Sequence, residues 1–154
     1  MENSSAALIH GHGLHYLDHL APLCSLLNIP LIVTEEEIAE ISRKYYPDLQ
    51  VLISSYSQVG SYVVENCSVI FCCYPRALFD EFFFFPQKLL QKKVHTIWCP
   101  HGNSDKGYAS PFMEGLANEE YALIYGQKML DFFKAKRVFS QLKRFVLTGN
   151  YRYS

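Results

Sequence analysis

Short, nearly uninterrupted apolar runs recur along this chain, and most are followed by a longer stretch with helical spacing. The runs at residues 6–10 (AALIH), 30–33 (PLIV), 50–53 (QVLI), 68–74 (SVIFCCY), 94–99 (VHTIWC), 121–125 (YALIY) and 145–148 (FVLT) read as strands. Between them, residues 14–27 place Leu17, Leu20, Leu23, Cys24 and Leu27 at helical intervals. Thr34 and Glu37 have the spacing of a capping box opening a helix that stops before Pro47. Residues 58–65 and 127–137 form further helices, and residues 76–93 are predicted to be helical in pieces, broken at Pro86. Strands separated by helices are the mark of βαβ units. The sequence therefore predicts an α/β fold: a single doubly wound, mostly parallel sheet with helices on both faces, Rossmann-like, over residues 1–154.

Composition removes several classes of function. The 154 residues are 49% hydrophobic and 19% charged, which supports a core and excludes wholesale disorder. A formal net charge of -1 is unlike a generally basic nucleic-acid binder, so no nucleic acid is expected as partner. The charge is nevertheless uneven. Residues 1–75 hold two basic and eight acidic side chains, and residues 76–154 hold twelve and seven. No apolar run approaches the roughly 18 residues of a membrane-crossing helix. The first residues lack a basic segment followed by a long apolar one, so a cytoplasmic location is expected rather than a secreted one. Cys24, Cys67, Cys72, Cys73 and Cys99 contain no C-x-x-C pair and read as reduced thiols, mostly in the core.

In an open parallel sheet, ligands lie beyond the carboxyl ends of the strands, so the loops directly after strands are the ones that can carry chemistry. The richest is Pro100-His101-Gly102-Asn103-Ser104-Asp105-Lys106-Gly107. Its imidazole can take a proton near neutral pH, and its lysine and glycine-flanked amides can face an anion. The first such loop, Gly11-His12-Gly13, opens a helix but lacks the third glycine of a dinucleotide fingerprint, Tyr16 standing there instead. His15 and His19 share a helix face, with one expected to look into the cleft. No acidic or cysteine partner lies at metal spacing, so neither a metal nor a cofactor is expected. Phe82, Phe83, Phe84 and Phe85 cannot all face one side of a helix. With Lys88, Lys92 and Lys93 nearby, they suggest either core packing or a peripheral contact with a membrane or a partner.

His101-Gly102 followed by Lys106, set after the strand containing Ile97-Trp98, resembles a segment of the CDP-glycerol glycerophosphotransferase family, whose members build polymers of the teichoic acid type. The resemblance extends over residues 94–153, where Gly149 and Arg152 match a Gly-x-Pro-Arg turn. Pro100 beside the histidine and Tyr151 before Arg152 depart from the family pattern. It implies the acceptor-side half of a two-domain glycosyltransferase-B fold, in which His101 is the base on the acceptor hydroxyl and Lys106 an anion contact. Joined with the first loop, read from its own residues, these positions give Gly11, His12, Gly13, Gly102, Asn103, Ser104, Lys106 and Arg152 as the expected substrate and anion site. The nucleotide site then belongs to a second half, so that this chain is incomplete as a catalyst alone.

Two other functions compete. One is a non-catalytic binding or assembly module, a homo-oligomer or partner of another chain, working through the phenylalanines and the basic C-terminal helix. The other is a fragment of a nucleotide-sugar epimerase, although the His-x-Glu-Ala-Gly pattern of those enzymes is absent here.

Overall fold

The computed structural model of the protein describes residues 4–101 and 116–153. Among them seven strands form one sheet: β1 (Ser5–Ile9), β2 (Leu31–Val33), β3 (Val51–Ile53), β4 (Val69–Cys72), β5 (His95–Trp98), β6 (Tyr121–Ile124) and β7 (Arg144–Leu147). Their order is β3-β2-β1-β4-β5-β6-β7, and every neighbouring pair is parallel. The α/β, Rossmann-like fold is present, parallel throughout rather than mostly so. The helices between the strands are α1 (Leu17–Leu27), α2 (Glu36–Tyr45), α3 (Val59–Asn66), α4 (Asp80–Leu90) and α5 (Gln127–Ala135).

Alternation along β1 sorts the core into two layers. Ala7 and Ile9 pack with Leu20 and Cys24 of α1 and Ile38 of α2. Ala6 and Leu8 pack on the opposite face, with Val63 of α3 and Phe83 of α4. Trp98, Ala122 and Ile124 hold Leu130 and Phe133 of α5. Since Trp98 is in register with both Cys72 and Ala122, α5 lies on the α3–α4 face. All five thiols are buried and unpaired. Burial pushes the Cys24 thiol up to about 12, which makes it inert as a nucleophile.

Local details differ from expectation in two places. The Thr34 hydroxyl does not cap α2; it accepts the Gly11 N–H at 2.7 Å, and Glu35 stands at the cap position with no side-chain bond to the helix backbone. Tying the tips of β1 and β2 together outweighs the local cap. Pro86 does not break the helix either, since α4 runs through it from Asp80 to Leu90. Proline removes the N–H that would bond the Phe82 carbonyl. That carbonyl faces Gly60 of α3, where a Cβ would overlap it. Tertiary packing at a glycine thus supports a helix that its own sequence weakens.

The four consecutive phenylalanines divide as their helical angles require. Phe83 is buried, stacked 5.8 Å from Phe79, while Phe82 is half-buried and Phe84 and Phe85 are exposed.

Candidate functional site

The strand order reverses between β1 and β4, the place where parallel sheets of this winding open a crevice at their carboxyl ends. Here the chain fills that crevice itself. Gly11 takes φ +73°, a left-handed turn that favours glycine. A 3-10 turn over Leu14–Tyr16 then brings the Tyr16 ring to 4.5 Å from that of Tyr74, which follows β4. The Tyr74 hydroxyl donates to the His10 carbonyl at 2.8 Å. A Cβ on Gly13 would overlap the Tyr16 ring and come within 2.5 Å of the Tyr74 hydroxyl. Gly13 is therefore a packing glycine in this structure, and two tyrosines close the space above it. His10 turns to the other face, 4.2 Å from Tyr56 and 4.7 Å from Phe82, where burial lowers its pKa.

The functional side chains gather beside the plug, over β5, β6 and β7. His101, three residues past β5, lies edge-on 5.2 Å from Tyr16, with His15 at 6.1 Å and His19 at 6.5 Å. Tyr125 directly follows β6, and its hydroxyl donates to the Pro100 carbonyl at 2.9 Å. The same oxygen lies 2.8 Å from His19 Nδ1. The Tyr125 hydroxyl has one hydrogen, already directed at a carbonyl that can only accept. His19 Nδ1 must therefore carry the other proton, which leaves Nε2 as the nitrogen with the lone pair. After β7, the 3-10 turn Tyr151–Tyr153 packs against α1 and brings up Arg152.

The electrostatics favour neutral imidazoles. Burial lowers the His19 pKa to about 4, helped by the positive charge of Arg152 and by His101. Burial, with His15 second, also lowers that of His101. Burial raises the phenol of Tyr125. At neutral pH this site offers uncharged imidazole lone pairs and phenol hydroxyls beside one guanidinium. That set can take up a proton from a hydroxyl and hold an anion.

Of the residues named from sequence, the structure groups His101 and Arg152 about α1, through Tyr16 and His19. Gly11 has its N–H engaged by Thr34, and Gly13 lies under the tyrosines. The His12 side chain is 79% exposed and lies 3.7 Å from Glu35, away from His101. Gly102, Asn103, Ser104 and Lys106 lie outside the described residues. Of His15 and His19, the buried one is His19, and His15 sits exposed on the Tyr16 ring at 3.9 Å.

Sequence reasoning gave no role to Tyr16, Tyr74 or Tyr125, whose positions after strands were the available signal. It also passed over Glu119. This residue is 0% exposed, accepts the Arg76 backbone N–H, and is pushed by burial up to about 7. Its neighbour Glu120 gathers Lys143 at 2.9 Å, Arg76 at 3.6 Å and Lys93 at 3.8 Å.

Among the described residues no group of three or more His, Cys, Asp or Glu side chains is placed to hold a metal ion, and no helix is long and apolar enough to cross a membrane. Fold and site together define a parallel, Rossmann-like α/β protein with a histidine–tyrosine cluster at the carboxyl edge of its sheet. No protein-family model matches the chain, no curated protein matches it and no solved structure matches it.

Proposed function

We propose that this chain is the acceptor-side domain of a glycerophosphotransferase- or glycosyltransferase-like enzyme. It would bind a phosphate-bearing acceptor over β5, β6 and β7 and take its nucleotide-activated donor from a second half. The observation that carries the reading is the grouping of His101, Tyr16, His19 and Arg152 at one end of the sheet, with both imidazoles held neutral by burial. The acceptor hydroxyl gives its proton to His101 as its oxygen bonds to the donor phosphorus or sugar carbon. The bond to the nucleotide leaving group then breaks. Arg152 holds the negative charge of the acceptor, with Lys106 and the amides of Gly102, Asn103 and Ser104 as further contacts that the resemblance supplies. Tyr16 and Tyr74 occupy the crevice between β1 and β4, which supports assigning the nucleotide to another half. Five unpaired thiols support a reducing, cytoplasmic setting, and the resemblance places the reaction in cell-envelope synthesis.

Calorimetric titration with glycerol 3-phosphate tests the binding half of this reading. Binding that Arg152→Ala weakens about tenfold, as loss of a charge-assisted contact should, is the expected result. Release of CMP from CDP-glycerol, measured with the second half present and lost in His101→Ala, tests the chemistry. Absence of binding at millimolar ligand rejects the proposal.

The same tyrosine plug favours one alternative, a binding module of this fold without catalysis. Phosphate binding with no CMP release, unchanged in His101→Ala, would select it.

A further inference from the structure

The outward face of α4 is the least expected surface of the molecule. Leu78, just before the helix, is 55% exposed, Phe85 76% and Leu89 83%. These side chains stand on one stripe with Glu81 and Lys88, because residues three, four and seven apart share a helix face. Beside the stripe, a groove of about 430 Å³ runs between α3 and α4, lined by Tyr56, Gly60, Ser61, Phe82 and Leu89. Aromatic rings left in water next to an apolar groove mark an interaction surface. Neither Glu81 nor Lys88 has an ion-pair partner among the described residues, although the Lys88 ammonium lies over the Phe84 ring at 4.4 Å.

We infer that a second copy of this chain covers the face, with the two α4 helices antiparallel about a two-fold axis near Phe85. The charge pattern of the stripe is complementary to itself in that orientation alone. A rise of 1.5 Å per residue puts Glu81 about 6 Å before Phe85 and Lys88 about 4.5 Å after it. Reversing one helix sets each Glu81 beside the other copy's Lys88, twice over, with the Phe85 rings meeting between them. Every contact is made by the same patch on both copies, as a closed dimer requires. Phe85 itself lines the groove, so in this register the partner's Phe85 ring lies at its mouth. A lipid surface fits the same face less well: Lys88 would suit anionic headgroups, but Glu81 stands in the middle of the apolar stripe and would have to be buried against them. This dimer is independent of the phosphate site, which lies on the opposite side of the sheet with α1.

Sedimentation velocity of the full chain tests the inference. The expected species has about twice the 17.8 kDa mass of one chain, and Phe85→Asp converts it to a monomer with unchanged circular dichroism. Charge reversal gives the sharper result. Glu81→Lys and Lys88→Glu each weaken association about tenfold, and the two together restore it, as coupled partners in a double-mutant cycle do. A monomer at about 100 μM, or a dimer indifferent to Phe85→Asp, overturns the inference. So does a monomer that floats with phosphatidylglycerol vesicles and loses them in Phe85→Asp.

Discussion

The Tyr125 hydroxyl lies 2.8 Å from His19 Nδ1 and 2.9 Å from the Pro100 carbonyl, so one phenol oxygen couples α1 to the tips of β5 and β6. The consequence is a defined tautomer: His19 carries its proton on Nδ1. Nitrogen-detected NMR of the imidazoles should show this form for His19, neutral at every pH down to about 4. Removing the oxygen in Tyr125→Phe strands both the Nδ1–H and the carbonyl. The expected result is a mixture of tautomers and a loss of about 1–3 kcal/mol in denaturant unfolding, the cost of a buried polar group left without its partner.

Two buried groups give stability a pH dependence of opposite sign. His19 titrates near 4 when folded and near its ordinary 6.5 when unfolded, so the unfolded chain binds more protons between those values. Its contribution is complete above about 6.5 and is lost as pH falls toward 4. Glu119 behaves in reverse, with a folded value of about 7 against 4.5 unfolded. Its neutral form is favoured by the fold, so stability is present below 4.5 and drains away as pH rises through 7. Glu119→Gln keeps an oxygen for the Arg76 N–H and removes the charge. Urea titrations from pH 5 to 9 should therefore show this variant gaining on the parent by up to about 3 kcal/mol at the alkaline end. An identical pH slope in the two proteins would show that Glu119 ionises freely in the fold.

Gly11 and Gly13 look alike in sequence and differ in what alanine would meet. At Gly11 nothing lies within 4 Å of a Cβ, and only the φ of +73° resists it. The expected cost of Gly11→Ala is about 1–2 kcal/mol. At Gly13 the Cβ would overlap the Tyr16 ring, which is itself packed against Tyr74 and His101. Gly13→Ala should cost about 2–4 kcal/mol, as overpacking does, and shift the His101 ring resonances, which Gly11→Ala leaves in place. Equal destabilisation by the two variants would contradict the packing described for Tyr16.

The alternation of apolar and amphipathic runs made the fold legible, because a strand such as β1, buried on both faces from Ala6 to Ile9, needs no partner to be recognised. The site was legible only in outline. His101 could be found since a histidine directly after a strand is placed by the fold before any side chain is considered. Tyr16 and Tyr74 could not, because what they fill is a space between two loops more than fifty residues apart. Thr34 misled for the same reason: its hydroxyl had a satisfactory local partner in α2 and a better one across the sheet in Gly11. Glu119 was invisible because a carboxyl beside a second one, Glu120, reads as solvated charge until burial separates them.

Pro86 and Gly60 show how such distant dependence can be measured. Proline at 86 leaves the Phe82 carbonyl without its helical N–H, and Gly60 brings α3 close enough to cover that oxygen with a backbone Cα–H. Gly60→Ala pushes a methyl group into the carbonyl, which belongs to backbone and cannot rotate aside. Although alanine is the better helix former by about 1 kcal/mol, the variant should be destabilised by about 2–3 kcal/mol through overpacking. Pro86→Ala in the same background restores an N–H for the carbonyl but leaves the clash, so it should recover only part of that loss. Thermal and urea unfolding of the two single variants and the double variant decide the matter. Full recovery in the double variant would mean that Gly60 serves the helix and not the contact.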